Sequence, residues 1–205
     1  MEPVHLYVAF LDILAYRERL EQDRQSGNLD LRNDLSSALR VFDDVNDAVF
    51  QVQAISDTII VTCLNHDHFP EFLRLLREVF LAFLKQCLFV RGAVAYSRHF
   101  QSSRLTYSHG IARGYELETQ QAVYPRIVID DNIIKMYEVG VGLPNIGSDG
   151  LLCKEKGVFF LDILTADNWE YVYSQAAIIY QKSLSSSRFG EGAFNKHLRF
   201  ERYLL

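Results

Sequence analysis

Two copies of one apolar pentapeptide place an aspartate inside a hydrophobic run. The sequence FLDIL occurs at residues 10–14, centred on Asp12, and again at residues 160–164, centred on Asp162. A carboxylate among such side chains costs free energy unless a cation or hydrogen bonds compensate it, so each aspartate is expected to have a partner. Asp57, in QAISDTIIV, is a third acidic residue between apolar runs. Converging carboxylates bind divalent cations, and Mg²⁺ in proteins typically takes one or two carboxylates plus phosphate oxygens.

The elements around these aspartates are expected to bring Asp12 and Asp57 together. The β-branched and aromatic run VHLYVAFLDIL predicts a central strand that leads directly into the helix of AYRERLEQDRQ. VFQVQAI and IIVTCL predict two short strands joined by a tight turn at SDT, which puts Asp57 at the tip of a hairpin. In a sheet that lays its first strand beside this hairpin, the two carboxylates are expected to converge. The backbone N–H groups of Leu14, Ala15 and Tyr16 are then expected to face any anion that the metal holds, for which a triphosphate is the natural candidate.

The order of the predicted elements, β-α-α-β-β-α-β followed by a further α and β, is typical of an α+β fold. We expect a ferredoxin-like domain with a mixed, mainly antiparallel sheet and helices packed on one of its faces. This domain is expected to span residues 1–165, and residues 166–205 are expected to form a C-terminal helical extension packed on it. The Gly-rich stretch at 139–150 lacks a basic or hydroxyl residue at a P-loop position and is expected to be a loop. A doubly wound nucleotide-binding fold is therefore not expected.

The composition excludes several classes of protein. The 205 residues carry a formal net charge of −5, which disfavours a general nucleic-acid binder because affinity for the phosphate backbone comes from clustered Lys and Arg. The three cysteines lie in apolar runs, which is typical of buried thiols in a reducing compartment. No signal peptide is evident, and no apolar run approaches the ~20 residues of a membrane span. We therefore expect a soluble cytoplasmic protein that binds neither nucleic acid nor membrane.

Four segments together resemble a known family. FLDILAY, QAISDTIIV, FVRGAVAYS and HGIARGYELE occur in this order and resemble the catalytic core of class III nucleotidyl cyclases, over residues 4–130. The resemblance is closer to the bacterial pyrimidine cyclases of the Pycsar anti-phage defence system. These share the short catalytic domain, the FLDIL start, the SD hairpin, the RG of the fourth strand, and YELE followed by YPRI. The combination is specific, although no single motif is.

The resemblance implies roles for several residues. Asp12 and Asp57 correspond to the metal-binding aspartates, with the Ile13 carbonyl as a further ligand and two divalent cations, Mn²⁺ or Mg²⁺, in each site. Phe10 would line the nucleotide site. Gln53 stands four residues before the hairpin aspartate, where the purine cyclases carry a base-selecting lysine. A purine substrate is therefore not expected.

A second departure from the purine cyclases concerns the charge on the phosphates. The Asn and Arg that stabilise their transition state correspond to Ala112 and Glu116 here. Either Arg113, one position along from Ala112, or Arg91 in the fourth strand would then have to supply the positive charge. The residues alone leave this choice open.

The function that the resemblance implies is cyclisation of UTP to 3′,5′-cyclic UMP and pyrophosphate. The product would be a second messenger for a downstream cyclic-nucleotide-sensing effector in anti-phage defence. The alternatives are cyclisation of CTP, a catalytically silent nucleotide-binding module and a plain interaction domain. In class III cyclases the metal aspartates come from one subunit and the base-selecting residues from its partner, so the resemblance also implies a homodimer with shared active sites.

The second pentapeptide is expected to be structural. Asp162 precedes TADNW, with no hairpin aspartate in register and no basic helix after it. Its carboxylate is therefore expected to bond to nearby backbone or to an arginine.

Overall fold

The computed structural model describes residues 2–139, 150–184 and 190–205 of the chain. Its strands are β1 (Val4–Ile13), β2 (Phe50–Ile55), β3 (Thr58–Cys63), β4 (Val90–Gln101), β5 (Thr106–Ser108), β6 (Ile127–Ile129), β7 (Leu152–Glu155) and β8 (Val158–Leu161). Its α-helices are α1 (Tyr16–Ser26), α2 (Asp30–Leu39), α3 (Phe69–Lys85), α4 (His109–Gln121), α5 (Asp131–Val139), α6 (Trp169–Leu184) and α7 (Glu191–Leu204). The predicted Gly-rich loop falls mainly on residues 140–149, which lie outside the described residues.

The strands form one sheet in the order β2-β3-β1-β4-β6-β8-β7, with β5 paired to β4. β1 is antiparallel to both β3 and β4, and β2 is antiparallel to β3. Among the described strands the one parallel pair is β4 with β6. The segment β2-β3-β1-β4 has the strand order of a split β-α-β unit. The predicted ferredoxin-like α+β fold with a mainly antiparallel sheet is therefore confirmed.

One face of the sheet carries the main hydrophobic core. Successive side chains of a strand point to opposite faces, so Tyr7 and Leu11 of β1 share this face, and both are fully buried. Helix α3 packs there with an apolar stripe that includes Phe72, Leu76 and Phe83. Its spacing is that of an amphipathic helix, which explains why the sequence predicts it well.

The expectation that helices pack on only one face of the sheet is wrong. Helix α4 covers the opposite face, where Leu117 packs against Ala93 and Ile111 packs against Val8. Val8 and Asp12 lie four residues apart on β1 and therefore point to the same face. The Asp12 carboxylate is thus on the α4 side of the sheet, away from the main core.

The predicted C-terminal helical extension is present as α6 and α7. Val172 and Ile179 of α6, with Phe200 and Leu204 of α7, join the core cluster that contains α3 and β1. The division of the chain at residue 165 stays a prediction. None of the helices in the described residues has the length and apolar character that a membrane span needs.

Candidate active site

Asp12 lies at the carboxyl end of β1, next to the tip of the β2-β3 hairpin. It pairs with Thr58, and the N–H of the following residue, Ile13, donates to the Asp57 carbonyl at 2.8 Å. Ser56 and Asp57 form the two-residue turn, in which Ser56 has a φ of 58°. Burial raises the pKa of Asp12, whose side chain is 24% exposed, and the nearby charge of Asp57 raises it further. The structure therefore places Asp12 and Asp57 close enough for their charges to interact, while their role as metal ligands stays a prediction.

Arg91 links Asp12 to a second carboxylate, that of Glu118. Arg91 faces Asp12 across the β1-β4 pair, and its Nε donates to Asp12 Oδ2 at 3.1 Å. The same Nε lies 2.5 Å from Oε1 of Glu118, a side chain that is only 4% exposed. Burial raises the pKa of Glu118, the Arg91 charge lowers it, and the Asp12 charge raises it again. One guanidinium therefore compensates two carboxylates.

Lys196 of the C-terminal helix α7 is a further charge beside this group. Its positive charge lowers the pKa of both Asp12 and Glu118. Burial lowers the pKa of Lys196 itself, and the neighbouring charge of Arg91 lowers it further. The folded chain thus places a lysine from its tail next to the end of β1.

Phe10 and Gln53 lie in one row across the sheet. Gln53 pairs with Ile60, which pairs in turn with Phe10, and directly paired residues of antiparallel strands point to the same face. The Phe10 ring makes an edge contact with Tyr115 of α4, with the ring centres 5.8 Å apart. Helix α4 can come this close because Gly114 has no Cβ. A Cβ at this position would lie 2.8 Å from the Cβ of Phe10, which is too close. The two residues predicted for the nucleotide site therefore share the α4 face of the sheet.

The turn between β1 and α1 differs in one respect from the predicted anion site. The N–H of Leu14 donates to the carbonyl of Phe89 at 2.9 Å, so this amide is not available to an anion. Ala15 has a left-handed backbone conformation, with φ 60° and ψ 16°, and α1 begins at Tyr16. Of the three predicted amides, those of Ala15 and Tyr16 remain candidates.

The donor set at the end of β1 fits a hard divalent cation. Asp12 and Asp57 offer carboxylate oxygens and Ile13 a carbonyl oxygen, which are ligand types that Mg²⁺ and Mn²⁺ prefer. Within the described ranges, no group of three or more His, Cys, Asp or Glu side chains is arranged to hold a metal ion. Two protein carboxylates suffice for Mg²⁺ in sites where phosphate oxygens and water complete the coordination.

Comparison with known proteins identifies a fold. No protein-family model matches this sequence, and no curated protein does. The structure of a bacterial light-regulated adenylyl cyclase aligns with a TM-score of 0.52 and 14% identity over 87% of this chain and 59% of its own. The adenylyl cyclase CyaB from P. aeruginosa aligns with a TM-score of 0.51 and 14% identity over 82% of this chain and 99% of its own.

A third match is the guanylyl cyclase domain of the RhoGC fusion protein from the aquatic fungus Blastocladiella emersonii. It has a TM-score of 0.52 and 11% identity over 78% of this chain and 98% of its own. The chain has the fold of class III nucleotidyl cyclase catalytic domains. It spans 59% of the light-regulated cyclase, so the rest of that protein has no counterpart in this alignment.

Within this cyclase fold, Arg113 is held by two carboxylates of its own chain. Its Nε donates to Oδ2 of Asp130 at 2.9 Å, and its Nη1 donates to Oε2 of Glu116 at 2.7 Å. Asp130 is buried at the end of β6 and also accepts a hydrogen bond from the N–H of Asn132. The hydrogen bonds to both carboxylates raise the pKa of Arg113. Both arginines predicted to neutralise phosphate are therefore already ion-paired.

Asp162 of the second pentapeptide has structural partners. Its Oδ1 accepts a hydrogen bond from the Tyr203 hydroxyl at 2.5 Å and one from the N–H of Leu164 at 3.0 Å. Arg77 donates from Nε to the Asp162 carbonyl oxygen at 2.8 Å. The predicted backbone partner of the carboxylate is confirmed. Arg77 bonds to the main-chain carbonyl of Asp162, and the side-chain partner of the carboxylate is Tyr203.

Glu118 and Lys196 belong to the neighbourhood of Asp12 but are not among the site residues predicted from the sequence, although Glu118 ends the HGIARGYELE segment. Glu118 does have a sequence signal, because Gly110, Gly114 and Leu117 recur with it at helical spacing and mark one buried helix face. Lys196 has no comparable signal, since its position depends on how a tail helix packs against the rest of the cyclase fold.

Proposed function

We propose that this protein is a nucleotidyl cyclase that converts UTP to 3′,5′-cyclic UMP and pyrophosphate. The observation that carries the proposal is the juxtaposition of Asp12 and Asp57 at the end of β1 in a cyclase fold. The likeness of the short motifs to Pycsar pyrimidine cyclases supports the pyrimidine substrate. The same likeness supports a second-messenger role in anti-phage defence, with a cyclic-nucleotide-sensing effector downstream.

In the proposed reaction the 3′-hydroxyl oxygen bonds to the α-phosphorus and loses its proton to water. The bond between the α-phosphorus and the oxygen that bridges it to the β-phosphate breaks, and pyrophosphate leaves with that oxygen. Two divalent cations bound by Asp12, Asp57 and the Ile13 carbonyl would lower the pKa of the hydroxyl and neutralise the leaving charge. The amides of Ala15 and Tyr16 would orient the phosphates. No covalent nucleophile is required, because positioning and electrostatics supply most of the catalysis in phosphoryl transfer.

Gln53 supports a pyrimidine base. Its amide offers both a donor and an acceptor, which suits the carbonyl at C4 of uracil and equally the amine at C4 of cytosine. Phe10 lies on the same α4 face as Asp12, so in the shared site it would give the base an aromatic neighbour opposite the Gln53 of a second copy. Cyclisation of CTP to cyclic CMP is therefore the alternative reaction at the same site.

The proposal includes a homodimer with shared active sites. Apolar side chains are exposed on the face of the sheet that carries Asp12: Ile55 is 57% exposed and Tyr115 is 58% exposed. Ile55 pairs with Thr58, which is the partner of Asp12 on the other side, so the three residues lie in one row. A second copy of the chain would cover this apolar surface and bring its own Gln53 and α4 towards the carboxylates.

A catalytically silent nucleotide-binding module is the second candidate. The ion pair between Arg91 and Asp12 favours it, because the guanidinium occupies an oxygen that a cation would use. Ala112 and Glu116, at the positions of the transition-state Asn and Arg, favour it as well. The presence of both aspartates favours the enzyme.

The test is incubation of the purified protein with each of the four ribonucleoside triphosphates and Mn²⁺ or Mg²⁺, with products separated by mass. Cyclic UMP from UTP is the expected product, and cyclic CMP would identify the alternative reaction. Binding of a nucleoside triphosphate without product would identify the silent module. Absence of both binding and product would overturn the proposal and leave an interaction domain.

A further inference from the structure

The two arginines predicted to neutralise phosphate are already offset by carboxylates. Arg91 is paired with Asp12 and with the buried Glu118. Arg113 is paired with Asp130 and Glu116. A triphosphate brings several negative charges, and stabilisation of the transition state needs positive groups fixed where that charge develops. Apart from bound cations, the site therefore needs another positive side chain.

A cavity adjoins the end of β1 on the side of the C-terminal helices. Its volume is about 610 Å³, within the range of about 300–1,000 Å³ that small-molecule sites occupy. Its lining includes Leu14 and Ala15 of the β1-α1 turn, Phe89 before β4 and Lys196 of α7. The first of these lining residues, Leu14, is only two residues after Asp12 in the chain.

Lys196 is placed to act on a ligand in this cavity. It is half-buried, and its charge reaches Asp12 and Glu118, whose pKa values it lowers. Among the described residues it has no hydrogen-bonded or ion-paired partner, whereas Lys182 in the same wall bonds to Sγ of Cys87 at 3.4 Å. No direct contact with the described part of the chain therefore occupies its ammonium group, which can bind an anion.

We infer that Lys196 binds the phosphate chain of the nucleoside triphosphate, from within the same chain as Asp12. The inference rests on the proposed function. Ala112 and Glu116 of α4 stand where the purine cyclases carry the Asn and Arg that stabilise the transition state, and neither provides a positive charge. Lys196 of the C-terminal helix would supply part of that charge. The tail helix is then part of the nucleotide site in addition to its packing role.

Lys196 affects metal and phosphate binding in opposite directions. A positive charge beside Asp12 repels a divalent cation and attracts a phosphate. Removing the charge should therefore tighten the binding of Mn²⁺ alone and weaken the binding of a triphosphate. A lysine that only supports the fold would produce neither change.

The test compares Lys196→Met with Arg199→Met by titration calorimetry. Methionine keeps an aliphatic stem and removes the charge, and Arg199 is an exposed position of the same helix, which makes it a matched control. The probes are UTP and inorganic triphosphate in EDTA, and Mn²⁺ alone in a separate titration. For Lys196→Met we expect the Kd of both phosphates to rise about ten-fold or more, as for loss of a charged hydrogen bond. The Kd of Mn²⁺ should fall, Lys196→Arg should retain most of the phosphate affinity, and Arg199→Met should bind like the wild type.

Phosphate binding by folded Lys196→Met that equals that of the wild type would overturn the inference and make Lys196 a counter-ion of Asp12 and Glu118. An equal loss in Arg199→Met would also overturn it, because the effect would then come from net charge. If Lys196→Met does not fold, Lys196→Gln and Lys196→Arg decide by the same comparison. Failure of the wild type to bind any nucleoside triphosphate, with or without Mn²⁺, would instead overturn the proposed function.

Discussion

The duplicated pentapeptide allows a matched pair of substitutions. Asp12→Asn and Asp162→Asn each remove one negative charge from the same FLDIL context. In Asp162→Asn, an amide oxygen would replace the carboxylate oxygen that accepts hydrogen bonds from Tyr203 and Leu164. A hydrogen bond to a charged group contributes roughly 1 kcal/mol more than a neutral one, so the two bonds together lose about 2 kcal/mol. For a chain of this length that loss lowers Tm by about 4–8 °C.

Asp12→Asn should have the opposite profile. It removes a proposed metal ligand, and a loss of about 4 kcal/mol of transition-state stabilisation reduces turnover about a thousand-fold. Its effect on the free energy of unfolding should stay within about 1 kcal/mol, because relief of a partly buried charge offsets the lost bond from Arg91. Arg91 also keeps Glu118 as its partner.

The two variants are compared by thermal unfolding in metal-free buffer and by turnover of UTP with Mn²⁺. We expect Asp162→Asn to unfold earlier yet retain most of its activity, and Asp12→Asn to unfold like the wild type yet be inactive. Should Asp162→Asn be inactive while fully folded, and Asp12→Asn remain active, the two pentapeptides have been assigned the wrong way round.

Three further predictions concern the base, the assembly and pH. UTP should be cyclised in wide preference to ATP because Gln53 replaces the purine-selecting lysine, and equal rates in a competition assay would contradict this. Mixing Asp57→Ala, which lacks a metal ligand, with Gln53→Ala, which lacks the base-selecting side chain, should restore about a quarter of the wild-type rate, since random exchange makes about half of the dimers heterodimers with one intact site. Mixtures that stay inactive despite demonstrated subunit exchange would oppose the shared-site homodimer. Burial lowers the pKa of His99 and His197, so the unfolded chain binds protons at these residues before the folded chain does. The free energy of unfolding should therefore fall as pH drops below about 6.5, by up to about 1.4 kcal/mol per pH unit for each histidine. Urea unfolding between pH 5 and 8 should give a smaller slope for His197→Gln than for the wild type, and equal slopes would argue against this origin.

The elements nearest to Asp12 could be predicted because local signals determine them. The apolar run ending at Ile13 predicts β1, and the SDT turn predicts the hairpin tip at Asp57. Their convergence follows from the strand order, which the element order already implies. The face covered by α4 could not be predicted in this way, because α4 is only weakly amphipathic and its placement depends on close packing of Gly114 against Phe10.

The charges around the site could not be predicted for a different reason. A motif can suggest that Arg91 or Arg113 binds phosphate, but a buried acid needs a compensating cation more than an exposed substrate does. Glu118 and Asp130 are both buried, and each takes one of these arginines. Which arginine is left for a ligand therefore depends on which acids the fold buries, and that is a property of packing. Lys196, which no motif contains, is a half-buried cation without an ion-paired partner among the described residues, so it keeps a charge that a ligand can use.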